Sequence, residues 1–203
     1  MPTDKILAGI GRFQEEFQAN RALFERLAIK QEPKMLFITC SDSRVAPELI
    51  TGAEAGDLFV ARTIANIVPP YGTGAIGAGA VIEYAILHLH MEHIVICGHT
   101  DCGGIKGLDA ALDLSREPHI ARWLDLARPA KTKVEAGGFP QEARHLATVR
   151  ENVLLQLENL RSYDPVRDAL RAGSLALHGW VYHLESGAIE AYDAESGTWK
   201  PLP

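Results

Sequence analysis

The chain has 203 residues, long enough for one domain with its own core, and its hydrophobic content of 47% is typical of globular proteins. The net charge of −6, without runs of lysine or arginine, argues against nucleic acid and anionic membrane surfaces as partners. No stretch approaches the roughly 18 apolar residues of a membrane span, and no apolar signal-peptide core follows the amino terminus, so we expect a cytoplasmic protein without membrane partners.

The first half of the chain alternates between helices and strands. Apolar residues at helical spacing predict an amphipathic amino-terminal helix or helix pair, with Asp4 as its cap. Pro33 ends this region, and an apolar run then predicts a buried strand, Met35 to Thr39, which ends at Cys40. The further elements expected in this half are a short helix at 47–50, a strand at 58–61, a helix at 74–89 and a strand at 94–97.

The second half is mostly helical and ends in strands. We expect helix from about residue 112 to 160, with a break at Gly137-Gly138, and a short helix that starts at Asp164-Pro165. A strand at 175–182 then pairs with 188–192 as a hairpin. The chain is therefore predicted to be an α/β protein with a mainly parallel central sheet flanked by helices, an amino-terminal helical arm and a carboxyl-terminal β-hairpin.

Two polar loops follow predicted strands and carry candidate metal ligands. The first is Cys40-Ser41-Asp42-Ser43-Arg44, and the second begins at His99 and includes Cys102-Gly103-Gly104. Loops at the carboxyl ends of parallel strands converge in one crevice, so Cys40, His99 and Cys102 are predicted to meet there. Two thiolates and one imidazole suit zinc, and three protein ligands leave a fourth position for water or substrate. The three cysteines are too few for a disulfide framework and are free to serve as ligands.

Asp42 and Arg44 strengthen the functional interpretation of the first loop. Asp42 stands two residues after a ligand, where its carboxylate reaches the fourth position, either by coordinating the metal or by accepting a hydrogen bond from bound water. Arg44 has a planar guanidinium that matches a carboxylate and would clamp it. The alternative is an ordinary surface ion pair, which contributes little to stability.

These motifs resemble those of the β-class carbonic anhydrases. The pattern C-x-D-x-R followed by H-x-x-C-G-G is shared with that family, and the similarity also covers the segments 66–71, 83–85 and 177–182. The resemblance implies an α/β zinc lyase that interconverts carbon dioxide and bicarbonate through a zinc-bound hydroxide. It also implies one zinc ion per chain and a homodimer, or a dimer-based higher oligomer, because the family assembles its pocket across a dimer interface.

The resemblance assigns roles residue by residue. Cys40, His99 and Cys102 would be the metal ligands, and Asp42 and Arg44 would form the catalytic pair. The substrate pocket would be formed by residues from several segments, namely Gln31, Phe59, Ile64, Tyr84 and Gly103. We expect one domain over 1–203, with a helical arm at 1–30, the zinc-site core at 31–110, and helices and the terminal hairpin at 111–203.

One departure from the family concerns inhibition by bicarbonate. Some bacterial members bind bicarbonate at a second site built from Trp, Arg and Tyr. Arg62 and Tyr182 stand at two of these positions here, but Phe37 replaces the Trp and lacks its N–H donor. We therefore expect weak or absent inhibition by bicarbonate.

Three further interpretations are weighed against the zinc lyase. A hydrolase for carbonyl sulfide or carbon disulfide would use the same site, and a non-catalytic zinc-stabilised scaffold would usually offer four ligands instead of three. The glycines at 72, 74 and 77 match a dinucleotide fingerprint but follow Pro69-Pro70 instead of a strand, so this interpretation is disfavoured.

Cys97 ends an apolar run and is expected to be a buried, non-ligating residue.

Overall fold

The computed structural model describes residues 2–203, and these fall into two compact units that divide between Glu32 and Pro33. The first unit is a helix pair, α1 (Pro2–Ala19) and α2 (Arg21–Ile29). Stacked rings of Phe17 and Phe24, with centroids 4.6 Å apart, connect the two helices. The predicted helix pair is confirmed, but Asp4 lies within the first turn of α1 and is not its cap.

The second unit is built on a six-stranded sheet with the order β2-β1-β3-β4-β5-β6. The strands β2, β1, β3 and β4 are parallel, and β5 and β6 continue the sheet as antiparallel neighbours. The strand bounds are β1 Met35–Cys40, β2 Leu58–Thr63, β3 His93–His99, β4 Ala176–Tyr182, β5 Ile189–Asp193 and β6 Thr198–Pro201. The mainly parallel sheet and the terminal hairpin are therefore confirmed. β6 was not predicted, because its four residues contain only one aromatic side chain and are too few to show an alternating hydrophobic pattern.

Helices cover the connections between these strands. Prolines occupy the first turn of four of them, a position where the missing N–H costs nothing. The helix bounds are α3 Pro47–Thr51, α4 Ile76–Glu83, α5 Gly103–Lys106, α6 Pro118–Asp125, α7 Arg128–Ala136, α8 Gln141–Arg161 and α9 Asp164–Arg171. α4 continues into a π turn, Tyr84–His88. Across residues 2–203, no helix combines the length and the apolar character that crossing a membrane would require.

The longest helix, α8, packs directly on the centre of the sheet. Its apolar residues Val149 and Val153 belong to the main core, together with Ile94 and Ile96 of β3. Gly98 allows this close approach, because a Cβ there would lie 2.9 Å from a Val153 methyl carbon. The packing fixes α8 beside the end of the strand that carries His99.

The second face of the sheet holds a smaller apolar cluster of Phe37, Val95 and Cys97, all fully buried. Burial raises the pKa of the Cys97 thiol to about 12. The prediction that Cys97 is a buried small side chain is therefore confirmed. The raised pKa of its thiol argues against a role as a thiolate ligand.

Candidate metal centre

The predicted ligands meet at one edge of the sheet. β1 and β3 are parallel neighbours with Thr39 opposite Cys97, so Cys40 and His99 leave the sheet at nearly the same level. Cys102 follows after one tight loop, as the residue that precedes α5. The two sulfur atoms and the imidazole nitrogen all lie within 4.8 Å of one another, and the three side chains are buried. The structure therefore brings together the three residues that the sequence selected.

His99 presents a free lone pair to this cluster. Its Nδ1 lies 2.7 Å from the carbonyl oxygen of Thr100, which only accepts hydrogen bonds, so Nδ1 carries the proton. Its Nε2 is then unprotonated, and it is buried without any hydrogen-bond partner. A buried imidazole nitrogen oriented in this way, with the other nitrogen held by a carbonyl, is the arrangement found in metal-ligating histidines.

The two thiols of the cluster have opposite pKa shifts. The pKa of Cys40 lies well below its usual value, first because the Cys102 thiol donates a hydrogen bond to it, and also because the main-chain N–H groups of Asp42 and Ala65 donate to it. The pKa of Cys102 is raised, because it is the donor to Cys40 and is also buried. The pair therefore releases a first proton readily and holds the second, which a bound metal ion would displace. This S, S, N donor set fits zinc.

Asp42 is held beside the cluster by Arg44. The Arg44 Nε donates to Asp42 Oδ1 at 2.9 Å, Nη2 donates to Oδ2 at 2.7 Å, and the Arg44 main-chain N–H adds a bond of 3.0 Å. These bonds hold the pKa of the Asp42 carboxyl well below its ordinary value. Oδ2 lies 3.8 Å from His99 Nε2, so an ionised carboxylate faces the candidate metal position.

Asp101 and Lys106 extend this pair and were missed in the sequence. Arg44 Nη1 donates to Asp101 Oδ2 at 2.9 Å, so one guanidinium joins two carboxylates. Lys106 in turn forms an ion pair with Asp101. Mainly through Lys106, and also through Arg44, the pKa of Asp101 is lowered to about 2. The position of Asp101 between two candidate ligands in the sequence could have indicated a role at the site. Its pairing with Arg44 could not be predicted, because it depends on how the two loops face each other.

Amide side chains of α8 hold the loop after β2 and were also missed. Ala65 has the left-handed backbone conformation, with φ 57°, which non-glycine residues seldom adopt. Asn152 Nδ2 donates to the Ala65 carbonyl at 2.9 Å, while Ala65 directs its N–H at the Cys40 sulfur. Gln156 and Asn159 bind both main-chain groups of Val68. The signal was three amides at helical spacing on an otherwise apolar helix.

Arg62 holds the loop that carries Cys40, Asp42 and Arg44. Its Nε donates to the Cys40 carbonyl at 3.1 Å, and its Nη2 donates to the carbonyls of Asp42 and Val45 at 2.6 and 2.8 Å. Phe37 is fully buried, and its ring makes a T-shaped contact with the ring of Trp180. The Arg62 guanidinium already donates hydrogen bonds to three main-chain carbonyls.

The residues expected to bind substrate lie in different surroundings. The rings of Phe59 and Tyr84 pack together with centroids 5.9 Å apart. Ile64 is 40% exposed, and its carbonyl accepts a hydrogen bond from the Trp123 ring N–H. Gly103 is the first residue of α5. Gln31 belongs to the amino-terminal unit, so its role at the site stays a prediction.

The matching family model and the two relatives compared below carry the same description. A family model described as carbonic anhydrase matches residues 35–189, a span that includes all three candidate ligands, Asp42 and Arg44. A carbonic anhydrase of Pseudomonas aeruginosa is 47% identical over 193 residues, which cover 94% of this chain and 88% of the relative. Carbonic anhydrase 1 of Escherichia coli O157:H7 is 45% identical over 202 residues, which cover 98% and 91%.

Solved structures agree with the sequence relatives. The β-carbonic anhydrase CcaA superimposes with a TM-score of 0.92 at 39% identity, over 100% of both chains. A tetrameric β-carbonic anhydrase of the ascomycete Sordaria macrospora gives a TM-score of 0.82 at 30% identity, over 98% of both chains. The similarity in backbone thus extends over the whole chain and includes the strands that position the candidate ligands.

Proposed function

This chain belongs to the β class of the carbonic anhydrase family and is a carbonic anhydrase, and from that premise we propose that it hydrates carbon dioxide reversibly at a zinc ion held by Cys40, His99 and Cys102. The single observation that carries the zinc proposal is the buried His99 Nε2, which has no hydrogen-bond partner and belongs to a ring that has a nitrogen within 4.8 Å of both sulfur atoms. Leaving such a nitrogen unpaired is unfavourable unless a ligand satisfies it.

The chemistry of the reaction agrees with this donor set. Carbon dioxide is apolar and electrophilic at carbon, so its hydration needs a nucleophile in a dry pocket and little further recognition. When bound, zinc supplies a Lewis acid that makes water a competent nucleophile near neutral pH. The two sulfur ligands would cancel the formal charge of the ion, and we therefore expect activity to rise on the alkaline side of neutrality.

Asp42 and Arg44 are proposed to prepare the nucleophile. Because Arg44 lowers the pKa of Asp42, the carboxylate stays ionised and acts only as a hydrogen-bond acceptor. Its Oδ2, 3.8 Å from His99 Nε2, is positioned to accept a hydrogen bond from the attacking water. Arg44 also keeps this carboxylate from turning further towards the ligand atoms, where it would compete for the open position.

The apolar residues are proposed to exclude water from the substrate. The packed rings of Phe59 and Tyr84 offer an aromatic wall, and Ile64 exposes an aliphatic side chain. Gln31 is proposed to donate a hydrogen bond to the substrate, and the Gly103 main-chain N–H to complete the pocket.

We propose that the protein works as a homodimer or as an assembly of dimers. α1 exposes Ile6, Leu7 and Ile10 at 50% or more of their surface, an apolar stripe that suits a second copy of the chain. The similar Sordaria enzyme is described as tetrameric. Light scattering would measure the mass directly. The three free thiols agree with a reducing compartment, and we propose the cytoplasm.

A stopped-flow assay of carbon dioxide hydration tests the proposed function. We expect zinc-dependent hydration that disappears with a chelator and returns when zinc is added back. Cys102→Ala should lose the bound zinc, measured by elemental analysis, whereas Cys97→Ala removes a thiol outside the cluster and should keep it.

Two results would contradict this assignment. If the zinc-loaded protein hydrolysed carbonyl sulfide but did not hydrate carbon dioxide, the alternative hydrolase would be correct. If both reactions were absent while zinc removal lowered thermal stability, the site would be a structural one in a binding scaffold.

A further inference from the structure

A cavity lies beside α5, and its lining includes Ile105 and Lys106 of that helix. Its volume is about 400 Å³, and it is enclosed by α5, the turn after it, and the helices α7 and α8. None of the predicted metal or substrate residues lines it. Its polar wall is formed by charged residues and one imidazole, namely Lys106, Asp109, Lys131, Glu135, Arg144 and His145.

The wall carries three cationic side chains and two carboxylates. Lys131 forms ion pairs with both carboxylates of the cavity, Asp109 and Glu135. Arg144 donates its Nε to the Phe139 carbonyl at 3.0 Å, and no carboxylate within residues 2–203 pairs with its guanidinium. A guanidinium with free N–H groups on a cavity wall is suited to bind an oxyanion.

His145 gives a second and independent indication of a ligand. The His145 side chain is among those that line the cavity, and its Nε2 is buried without a hydrogen-bond partner within residues 2–203. Burial, and then the charge of Lys106, lowers the pKa of this imidazole, so it is neutral near pH 7. A neutral ring that carries its proton on Nε2 has one hydrogen bond left to donate to a ligand.

The same wall does not suit a metal ion or an apolar ligand. A divalent cation would need Asp109 and Glu135, but Lys131 already forms ion pairs with both. An apolar molecule would leave the guanidinium of Arg144 and the Nε2 of His145 unpaired, which is unfavourable.

We propose that this cavity binds a phosphate-type oxyanion, with Arg144 and Lys106 contacting its charge and His145 donating from Nε2. A cavity of about 400 Å³ accommodates the free ion or a small organic molecule that carries it. Both sources present the same oxygen atoms to the wall.

The site is linked to the catalytic pair through Lys106. Lys106 pairs with Asp101, Asp101 Oδ2 accepts from Arg44 Nη1 at 2.9 Å, and Arg44 Nη2 donates to Asp42 at 2.7 Å. An oxyanion that attracts Lys106 leaves Asp101 with Arg44 as its cationic partner. Asp101 then competes more strongly with Asp42 for Arg44, so occupancy lowers the rate. This link rests on the proposed function, whereas the binding site does not.

Calorimetry on the zinc-loaded enzyme tests the site with inorganic phosphate and with glycerol 3-phosphate. Arg144→Gln and His145→Phe should each weaken binding about tenfold, the loss expected for one charge-assisted or buried hydrogen bond. Arg161→Gln, a matched arginine change on the same helix and outside the cavity, should bind as the wild type does. Tighter binding of glycerol 3-phosphate would identify an organic phosphate as the preferred source, and equal binding the free ion.

The result that would overturn the site is equal phosphate affinity in the wild type, Arg144→Gln and His145→Phe, because phosphate would then be bound elsewhere, for example at the metal. Absence of binding at millimolar phosphate would also overturn it. A fluorescence melt of each variant confirms that it is folded.

The link to the rate is tested separately at constant ionic strength. Phosphate should lower kcat/KM for carbon dioxide in the wild type and Arg161→Gln, but much less in Arg144→Gln. Binding without any change in rate would refute the link through Lys106. If the enzyme hydrated no carbon dioxide at all, the proposed function would be wrong. Calorimetry would still show whether the cavity binds phosphate.

Discussion

Replacing Arg44 by Gln removes the group that holds the Asp42 carboxylate. The wild-type side chain donates two charge-assisted hydrogen bonds to Asp42, at 2.9 and 2.7 Å. The variant keeps the main-chain hydrogen bond at 3.0 Å, and its shorter, neutral amide cannot replace both side-chain bonds. Without the guanidinium, the pKa of Asp42 returns towards its ordinary value. Its carboxylate is then free to move towards His99, whose Nε2 lies 3.8 Å away.

The size of the effect follows from these contacts. A hydrogen bond to a charged group contributes about 1.5–3 kcal/mol, and half-exposed ion pairs contribute less because water screens them. The Arg44 side chain is 47% exposed and that of Asp42 is 17% exposed, so we assign about 2 kcal/mol to the two lost bonds together. If that energy holds the carboxylate in its productive orientation, kcat/KM falls about thirtyfold.

Stopped-flow hydration of carbon dioxide measures this change directly. The zinc content of Arg44→Gln should stay at one ion per chain, because no ligand is altered. Arg128→Gln is the matched control: it removes a similarly exposed arginine that contacts Asp125 by two nitrogens. An unchanged kcat/KM in Arg44→Gln would refute the reasoning, and so would an equal loss in Arg128→Gln.

Three further outcomes are expected. Asn152→Leu should lower the free energy of unfolding by about 2–4 kcal/mol in urea denaturation, because it leaves the Ala65 carbonyl and the Gln156 amide buried without partners. In the folded state the pKa of His178 is lowered, first through burial. Below about pH 6.5 the unfolded chain therefore binds a proton at this imidazole more readily than the folded chain does. The free energy of unfolding consequently falls as the pH falls. His178→Gln should therefore reduce the loss of Tm between about pH 7.5 and about pH 5.5. Because Phe37 offers no donor, initial rates should depend hyperbolically on bicarbonate.

Each of these outcomes has a control or a contradicting result. Asn20→Leu alters an exposed amide and should change stability by less than about 0.5 kcal/mol. His119→Gln changes an exposed histidine, and an equal loss of acid sensitivity in both histidine variants would show that His178 is not responsible. Sigmoidal kinetics in bicarbonate would contradict the expectation for Phe37.

The fold followed from short-range patterns, with errors where the pattern was weak. The apolar run before Cys40 predicted β1, and strands alternating with helices predicted the parallel sheet. β2 and β3 proved longer than expected, since Arg62, Thr63 and His99 continue the backbone pairing although their side chains are polar. The strand ladder depends on main-chain groups, which hydrophobic periodicity does not report.

The sequence by itself determined the candidate ligand set and the Asp42–Arg44 pair, because these residues lie within a few positions of one another or directly after strands. Only the tertiary structure decided the partners that come from distant segments. Asp101 reaches Arg44 across 57 residues, and Asn152 reaches Ala65 across 87. Such contacts arise when helices and loops pack on the sheet, and the same polar side chains would be solvated in any other arrangement. Residue type and spacing therefore identify which groups can bind a metal, while packing selects the polar groups that orient them.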